Sequence, residues 1–244
     1  MQKETATVER VVNAIKLFPE KHQVLILFGN PILPGIPVTV SLPKTEGIPQ
    51  SIEEMPEILF MDKEPDRKRA IAFRMPHLLE QKTVTDVFHM LNKPDRLQLL
   101  SILSNVYEFD KQEYSELLHF AWTSTEFPHQ MKVSELVSMF NRADPKHLMN
   151  GSYKAFEELP DEITVYRGWS ETNVKAGMTK RMGLAWTTDR KIAEWFAKRW
   201  KHTDAKLAIG KVRKSDVYMY TNERNEREVV INPRKVKNKK VINV

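Results

Sequence analysis

Two glutamates one residue apart precede an apolar run in the stretch NEREVVINP, from Asn225 to Pro233. In an extended strand, Glu226 and Glu228 point to the same face and lie roughly 6.5–7 Å apart, which is two rises of about 3.3 Å. Carboxylates so placed repel each other and can divide the work: one stabilises a developing positive charge while the other accepts a proton. Taken alone, the pair is more typical of a solvated strand end.

An arginine followed by a glycine ends the predicted strand EITVYRG. Alternation along a strand places Val165 and Arg167 on one face and Tyr166 on the other. An inward guanidinium beside Gly168, which lets backbone or ligand approach closely, suits the binding of a phosphate or a carboxylate. The alternative interpretation is a surface or salt-bridge arginine.

Two adjacent threonines, Thr187 and Thr188, end a second short strand. Threonines are common in strands for packing reasons alone, but their hydroxyls donate and accept and can therefore orient a neighbouring carboxylate. Asp189 then caps a predicted helix, RKIAEWFAKRW. Its apolar face is predicted to comprise Ile192, Trp195, Phe196 and Trp200.

The first third of the chain predicts a small α/β segment, residues 1–75, whose role the sequence does not indicate. We expect a helix from Val8 to Phe18, strands at VLILF (24–28), IPVTVSL (36–42) and RAIAF (69–73), and a short helix starting at Ser51.

In the remainder of the chain, residues 76–244, the sequence pattern predicts helices followed by strands. The whole chain is therefore predicted to have an α+β fold. Residues 77–158 form the helical part; Asp110 caps one helix, whose apolar stripe is Tyr114, Leu117, Leu118, Ala121 and Trp122. Residues 160–244 form the β core, with alternating segments and five of the eight glycines in 151–244.

Composition excludes several kinds of chemistry. The 244 residues include no cysteine, which rules out disulfides, thiolate zinc sites and a cysteine nucleophile. The seven histidines show no metal-ligand spacing, so we expect no metal. There is no signal peptide and no apolar run long enough for a bilayer, which predicts a cytoplasmic protein, in its own or a host cell, without membrane association.

Charge is unevenly distributed. Residues 1–150 contain 17 lysines and arginines against 20 aspartates and glutamates, whereas residues 151–244 contain 21 against 12. A basic C-terminal part is typical of proteins with a polyanionic partner, although a solvated surface looks the same.

The motifs VYRG, then WTTD followed by A-E-W-F-A, then E-x-E before an apolar strand, resemble the arginine–serine–glutamate class of mono-ADP-ribosyltransferases. This class contains binary actin-modifying toxins, arginine-specific ecto-transferases, and phage and bacterial effectors. The resemblance covers about residues 160–233, under a third of the chain. It implies an ADP-ribosyltransferase-like split, mixed β core with a helical lobe beside it and an NAD cleft between two sheets.

The resemblance also implies roles for the acidic and basic residues. Glu228 would be the catalytic glutamate that engages the nicotinamide-ribose 2′-hydroxyl of NAD. Glu226 would be the upstream acid that goes with a protein arginine as acceptor. Arg167, with Gly168, would bind the phosphate and ribose side of NAD.

Further candidates lie in the neighbouring segments. Thr187 stands where the class usually has a serine, and it would hydrogen-bond the catalytic glutamate and brace the cleft; Thr188 beside it is a candidate cofactor-binding residue. Phe196 or Trp195 is a candidate to stack on nicotinamide, although their helical spacing favours core packing. Tyr220, before the TNERN loop, is a candidate acceptor contact.

Three functional hypotheses follow. The first is transfer of one ADP-ribose from NAD to a protein arginine, with release of nicotinamide. The second is NAD glycohydrolysis, which needs Glu228 but not Glu226. The third is a basic nucleic-acid-binding module without catalysis, in which the contacts come from Lys235, Lys237, Lys239 and Lys240. The same basic half would also suit a transferase directed to a nucleic-acid-associated target.

Overall fold

The computed structural model describes residues 3–19, 23, 26–28, 39–42, 57–60, 63–125 and 131–244. The fold is α+β, as the sequence predicts. The chain divides into two compact units, residues 1–109 and 110–244. The predicted boundary between residues 75 and 76 falls inside a helix of the first unit, Glu64–Leu79.

The first unit consists mainly of helices, with two short pairs of strands. The helices are α1 (Val8–Lys16), α2 (Glu64–Leu79), α3 (Val84–Met90) and α4 (Arg96–Val106), with a 3₁₀ turn at Lys93–Asp95. Strand β1 (Glu4–Thr5) pairs in parallel with β4 (Tyr107–Glu108), and β2 (Thr39–Leu42) pairs antiparallel with β3 (Glu57–Phe60).

Sequence signals explain α1 and α3, whereas two predicted strands are wrong. Thr7 caps α1, and Thr83 with Asp86 forms a capping box at α3. The predicted strand at 69–73 lies within α2, and residues 26–28 of VLILF are helical, because tertiary packing overrides short apolar runs. The short helix predicted from Ser51 and limited by Pro56 lies outside the described residues, and residues 57–60, which follow it, form β3.

The second unit begins with the predicted helices. They are α5 (Lys111–Ser124), α6 (Val133–Arg142), α7 (Pro145–Leu148) and α8 (Tyr153–Glu157), with a 3₁₀ turn at Asn150–Ser152. Asp110 caps α5 by accepting hydrogen bonds from the backbone N–H groups of Gln112 and Glu113. The predicted stripe of α5 is buried from Tyr114 to Trp122.

A six-stranded sheet follows, in the order β10-β7-β5-β6-β9-β8. Its strands are β5 (Glu162–Ser170), β6 (Ala185–Thr187), β7 (Ala205–Arg213), β8 (Val217–Thr221), β9 (Glu228–Ile231) and β10 (Lys237–Asn243). Two helices lie between strands, α9 (Glu171–Lys175) and α10 (Arg190–Lys198), and a 3₁₀ turn at Lys214–Asp216 precedes β8.

Every pairing described in this sheet is antiparallel, so the expected mixed core of two sheets is a single antiparallel sheet. Strands β5 and β7 pair along the whole of Glu162–Ser170. Strands β5 and β6, by contrast, pair at one position alone, where Tyr166 of β5 faces Thr187 of β6. The sheet is therefore two three-stranded parts joined in the middle. We call β10-β7-β5 the arginine half and β6-β9-β8 the glutamate half.

Helix α10 packs on β5 through its smallest residues. Ala193 and Ala197 are buried, and a Cβ atom built on Gly168 would lie 1.8 Å from the carbonyl oxygen of Ala193. The predicted apolar face of α10 is therefore wrong: Trp195 and Trp200 are 59% and 49% exposed. Close backbone approach at a glycine demands small side chains on the helix, which turns the large aromatics away.

Within the described ranges, no helix is both long and apolar enough to cross a membrane.

Candidate active site

A cavity of about 410 Å³ opens in the second unit, where the two halves of the sheet meet. This volume lies in the range of about 300–1,000 Å³ that small-molecule and cofactor sites occupy. Six of the predicted site residues line it: Arg167, Gly168, Thr187, Phe196, Glu226 and Glu228. The other two, Thr188 and Tyr220, are not among its lining residues.

Glu228 is a buried carboxylate at the first position of β9, 7% exposed. It pairs across the ladder with Thr187 on one side and Thr221 on the other. The indole N–H of Trp122 donates to Glu228 Oε1 at 2.9 Å. Burial raises the pKa of Glu228 above its usual 4.5, while the Trp122 hydrogen bond and the charge of Arg224 act to lower it.

Glu226 does not lie on the same strand as Glu228, so the predicted same-face spacing is wrong. Strand β9 begins at Glu228, and the preceding turn contains two residues in the left-handed region, Asn225 at φ 57° and Arg227 at φ 46°. Left-handed backbone between the two glutamates breaks the alternation on which the spacing argument depends. The Glu226 side chain remains partly accessible, at 25%.

Both carboxylates share a cation that the sequence analysis did not single out. Arg224 Nη2 lies 2.9 Å from Glu226 Oε2 and 3.5 Å from Glu228 Oε2, and Nη1 donates to the Thr123 carbonyl at 3.1 Å. The two glutamates are thus brought together through one guanidinium.

The turn that carries Arg224 and Glu226 is attached to helix α5 by a buried histidine. His119 Nε2 lies 2.9 Å from Glu223 Oε1, and its Nδ1 lies 2.7 Å from the carbonyl oxygen of Leu148. Helix α5 therefore contacts both parts of the acidic site, through His119 at the turn and through Trp122 at Glu228.

The hydroxyl of Thr187 braces the same turn. It donates to the backbone carbonyl of Glu226 at 2.7 Å and accepts from the backbone N–H of Asp189 at 3.0 Å. The expected hydrogen bond from this hydroxyl to the Glu228 carboxylate is therefore replaced by a bond to the backbone two residues earlier. Thr188 acts through its backbone, donating to the carbonyl of Arg227 at 3.2 Å.

Arg167 points into a ring of acceptors from the segment that leads into β6 and from the first residue of β6 itself. Its Nε donates to the Arg181 carbonyl at 3.1 Å, and Nη1 donates to the Ala185 carbonyl at 2.5 Å. Nη2 donates to the Lys180 carbonyl at 2.8 Å and, more weakly, to Thr179 Oγ1 at 3.4 Å. Four of the five guanidinium N–H groups are thus directed at protein acceptors.

Burial lowers the pKa of Arg167 to about 10, and the charge of Glu228 opposes that change. The same pair of charges acts in the other direction on Glu228, whose pKa the Arg167 charge lowers. Arg167 and Glu228 therefore interact electrostatically across the cavity even though they belong to different halves of the sheet.

The segment whose carbonyls surround Arg167 is fixed by further contacts. The guanidinium packs directly against Gly183, because a Cβ atom at that position would lie 2.9 Å from Arg167 Nη2. Arg181, whose carbonyl accepts from Arg167, forms a two-point ion pair with Glu171 and lowers the pKa of Glu171 to about 2. Lys180 Nζ donates to the Met131 carbonyl.

Aromatic rings from α10 and the residues after it form another wall. Phe196 and Trp200 both line the cavity, and Arg199 Cζ lies 5.7 Å from the Phe196 ring and 4.7 Å from the Trp200 ring. Tyr220, by contrast, is 6% exposed and its ring lies beside that of Phe156. The structure therefore places Phe196 at the cavity and Tyr220 in the packed interior.

Sequence reasoning missed Trp122 and Arg224. Trp122 fits the apolar stripe of α5, and only the rule that a buried indole N–H needs an acceptor singles it out. Arg224 carried no signal, because its position depends on two left-handed residues in the turn.

The described part of the chain contains no group of three or more histidine, cysteine, aspartate or glutamate side chains that could hold a metal ion. The chain matches no protein-family model, no curated protein and no solved structure. The function is therefore inferred from the site itself.

Chemically, the site combines a buried carboxylate, a second, partly exposed carboxylate and an enclosed arginine. The buried carboxylate, held by the Trp122 indole and more distantly by Arg224, stabilises positive charge that develops beside it, because the surroundings are poor in water. The partly exposed carboxylate can bind a cationic group and take a proton from it.

Proposed function

We propose that this protein transfers ADP-ribose from NAD to a protein arginine and releases nicotinamide. The observation that carries the proposal is the convergence of Arg167, Thr187 and Glu228 on one cavity, with Glu226 at its accessible side. The order of the VYRG, WTTD and E-x-E motifs supports the same conclusion.

In this proposal Glu228 supplies the electrostatic stabilisation. Cleavage of the bond between nicotinamide and ribose leaves positive charge on the ribose, which a nearby carboxylate stabilises as it does in glycoside hydrolysis. The indole of Trp122 holds one oxygen of Glu228 and leaves the other directed towards Arg224. The reaction needs Glu228 ionised, and because burial raises its pKa, activity should fall as the pH is lowered.

Arg167 contributes fixed positive charge on the opposite wall. Four protein acceptors hold the guanidinium, so it offers at most one N–H to a ligand oxygen in this conformation. Its charge still favours an anionic ligand, and its hydrogen bonds shape the segment that forms this wall of the cavity. The role is compatible with the phosphate side of NAD, with less direct contact than the sequence suggested.

The rings of Phe196 and Trp200 offer flat surfaces for a ligand. Stacking of a nucleobase or of nicotinamide on an aromatic ring contributes about 1–3 kcal/mol in single-stranded nucleic-acid complexes, which gives the scale. Trp200 is half exposed and can therefore receive a ring without rearrangement of the core.

An arginine acceptor is supported by Arg224 itself. Its Nη2 atom lies 2.9 Å from Glu226 and demonstrates that a guanidinium fits between the two carboxylates. A guanidinium is protonated at ordinary pH, so it needs a base for the proton it loses when a bond to ribose forms. In this proposal Glu226 is that base.

The decisive experiment uses NAD labelled in the adenylate part, with a cell lysate as the source of acceptors. We expect label on discrete proteins and matching release of nicotinamide. Glu228→Gln should reduce both by about 10²–10³-fold, the scale on which a single electrostatic group contributes. Absence of nicotinamide release by the wild-type chain under all lysate conditions would contradict the proposal.

NAD glycohydrolysis is the second candidate, because Arg224 already covers Glu226 while Glu228 remains at the cavity. Glu226→Gln distinguishes the two activities. If transfer is the activity, label on acceptors collapses while nicotinamide release largely persists. If hydrolysis is the activity, neither wild type nor variant labels a protein.

The nucleic-acid alternative has weaker support from the tail. Lys235 lies 3.5 Å from Asp216, and Lys239 donates to the Pro233 carbonyl, while Lys237 and Lys240 are exposed on the edge strand β10. A steep fall of nucleic-acid affinity with salt, without nicotinamide release, would favour that alternative.

A further inference from the structure

Helix α10 has a packed side and an exposed side of different chemistry. It packs on β5 through Ala193 and Ala197, which are buried. Trp195 is 59% exposed, and Trp200, just beyond the end of the helix, is 49% exposed. Because tryptophan is highly buried on average, two half-exposed indoles in one short segment mark a surface at which another molecule binds.

The segment that carries these indoles is strongly basic. Residues 190–202 contain five lysines and arginines and one glutamate. That glutamate, Glu194, is already paired with Arg190 at 2.8 Å. Among the described residues, no ion pair involves the three exposed lysines of the segment, which are Lys191, Lys198 and Lys201. The segment therefore attracts a negatively charged partner.

Two of these lysines share a helix face with the more exposed indole. Lys191 lies four residues before Trp195 and Lys198 lies three residues after it, within the same helix. Residues three and four apart are neighbours on a helix surface. One flat ring therefore lies between two cations on the exposed side of α10.

Further rings and a guanidinium connect this face with the edge of the cavity. The Trp195 ring lies 5.0 Å from the Phe196 ring, and Arg199 Cζ lies 5.7 Å from the Phe196 ring and 4.7 Å from the Trp200 ring. Phe196, Arg199 and Trp200 line the cavity, whereas Trp195 is not among its lining residues. Trp195 is thus available to a ligand other than the one in the cavity.

We propose that the exposed side of α10 binds single-stranded nucleic acid. A base stacks on the Trp195 ring, and Lys191 and Lys198 bind the phosphates on either side of that base. Alternation of aromatic rings with cations is the arrangement by which proteins bind single strands without sequence preference. We call Lys191, Trp195 and Lys198 the α10 surface. It does not depend on the proposed function, because none of its three residues lines the cavity.

The chemistry of the α10 surface favours a single strand over other anionic partners. A nucleic-acid duplex keeps its base faces stacked inside, and an acidic peptide offers charge without flat rings. A helix that lies in a lipid surface inserts a wide apolar face, whereas the exposed side of α10 has one ring between cations. Since base faces and phosphates occur in RNA and DNA alike, we expect both to bind with similar affinity.

The test measures binding of the purified chain to a fluorescently labelled single strand of about 12 nucleotides, prepared as RNA and as DNA, by anisotropy. The affinity should fall as the salt concentration rises, and a duplex of the same sequence should bind more weakly. Absence of binding to the single strand, or tighter binding of the duplex, would overturn the proposal.

Substitution of Trp195 tests the stacking. Trp195→Ala should weaken binding by about 5–100-fold, as expected for loss of one base stacked on an aromatic side chain, without changing the dependence on salt. Trp195→Phe keeps a ring and should retain most of the affinity. An unchanged affinity in Trp195→Ala would overturn the assigned role of this residue.

A matched pair of double variants tests the phosphate contacts. Lys191→Gln with Lys198→Gln should make the slope of log affinity against log salt shallower by about 1.4, which is about 0.7 for each phosphate contact. Lys237→Gln with Lys240→Gln removes the same charge from the exposed strand β10 and should leave the slope unchanged. Equal changes in the two double variants would assign binding to overall charge and overturn the α10 surface.

Two further measurements complete the test. The substituted residues are exposed, so each variant should unfold at the wild-type urea concentration, which shows that lost binding is not lost folding. Vesicles of phosphatidylserine and phosphatidylcholine test the lipid alternative. Binding to these vesicles that Trp195→Ala abolishes, without binding to the oligonucleotide, would identify a lipid-binding surface and overturn the proposal. Nicotinamide release does not enter the test, so its outcome is separate from that of the proposed function.

Discussion

The two halves of the sheet present opposite charges to one cavity, but they hold those charges in different ways. In the arginine half, Arg167 is bound mainly by main-chain carbonyls, and Gly168 lies against the backbone of helix α10. In the glutamate half, Glu228 is held by the side chains of Trp122 and Arg224. The comparison indicates that Arg167 is held rigidly by the backbone. The carboxylate of Glu228, by contrast, loses its partners when the side chain of Trp122 or Arg224 moves.

The largest expected effect on stability comes from removing the Arg167 guanidinium, to which the surrounding carbonyls are hydrogen-bonded. Arg167→Lys keeps the charge but cannot reproduce the planar set of donors, so buried carbonyls lose partners. The free energy of unfolding, measured in urea, should fall by about 3 kcal/mol. Arg213→Lys, an exposed arginine in the same half, should change it by less than about 0.5 kcal/mol. Equal effects at the two sites would contradict the interpretation that the backbone holds Arg167 rigidly.

The close contact between Gly168 and helix α10 provides the next test of the difference between the two halves. Gly168→Ala would place a Cβ atom 1.8 Å from the Ala193 carbonyl oxygen, so helix α10 must move. We expect a loss of about 2–3 kcal/mol in unfolding free energy. Gly151→Ala is the matched control, since a Cβ atom there has nothing within 4 Å. If both substitutions are equally tolerated, the packing at Gly168 is not as described.

A smaller effect is expected in the glutamate half. Trp122→Phe removes the N–H donor to Glu228 and should lower the unfolding free energy by about 1 kcal/mol. Loss of that hydrogen bond raises the pKa of Glu228 further, so the acidic limb of the pH profile for nicotinamide release should move to higher pH.

Trp169→Phe provides a control of the same chemistry. It removes an indole hydrogen bond of equal length, 2.9 Å, to a different carboxylate, Glu171. The acidic limb should stay where it is in that variant. A shift of the limb by both substitutions would indicate a general loss of packing instead of a contact with Glu228.

The smallest effect concerns stability and pH. Because burial raises the pKa of Glu228 above 4.5, the folded chain binds its proton more readily than the unfolded chain between pH 4.5 and the raised pKa. Stability contributed by this group is therefore lost as the pH rises through that window. Glu228→Gln should lose less stability than wild type between pH 4.5 and 7, measured by denaturation at each pH. A steeper loss in the variant would contradict the assigned direction.

The sequence was sufficient for the elements whose signals are local. The cap at Asp110, the stripe of α5 and the strand before Gly168 are each specified by neighbouring residues. The convergence of Arg167, Thr187 and Glu228 on one cavity was also anticipated, through the order of three motifs.

What the sequence could not give depends on contacts between distant segments. The bonding of Arg167 to the Arg181, Lys180 and Ala185 carbonyls requires knowledge of how that segment folds back. The exposed Trp195 and Trp200 follow from the close approach at Gly168, which a helical periodicity does not contain. Two left-handed residues, which no motif marks, set the position of Arg224.

The single backbone pair between Tyr166 and Thr187 has a consequence for the width of the cavity. Two strands paired along their whole length are held in one relative orientation by many backbone hydrogen bonds. Two strands paired at one position can change the angle between them about that position. Thr187 also ties this position to the backbone of Glu226. A change in the angle between β5 and β6 would therefore change the distance between Arg167 and the two carboxylates, and the hydrogen bond from Arg167 Nη1 to the Ala185 carbonyl at the start of β6 opposes such a change.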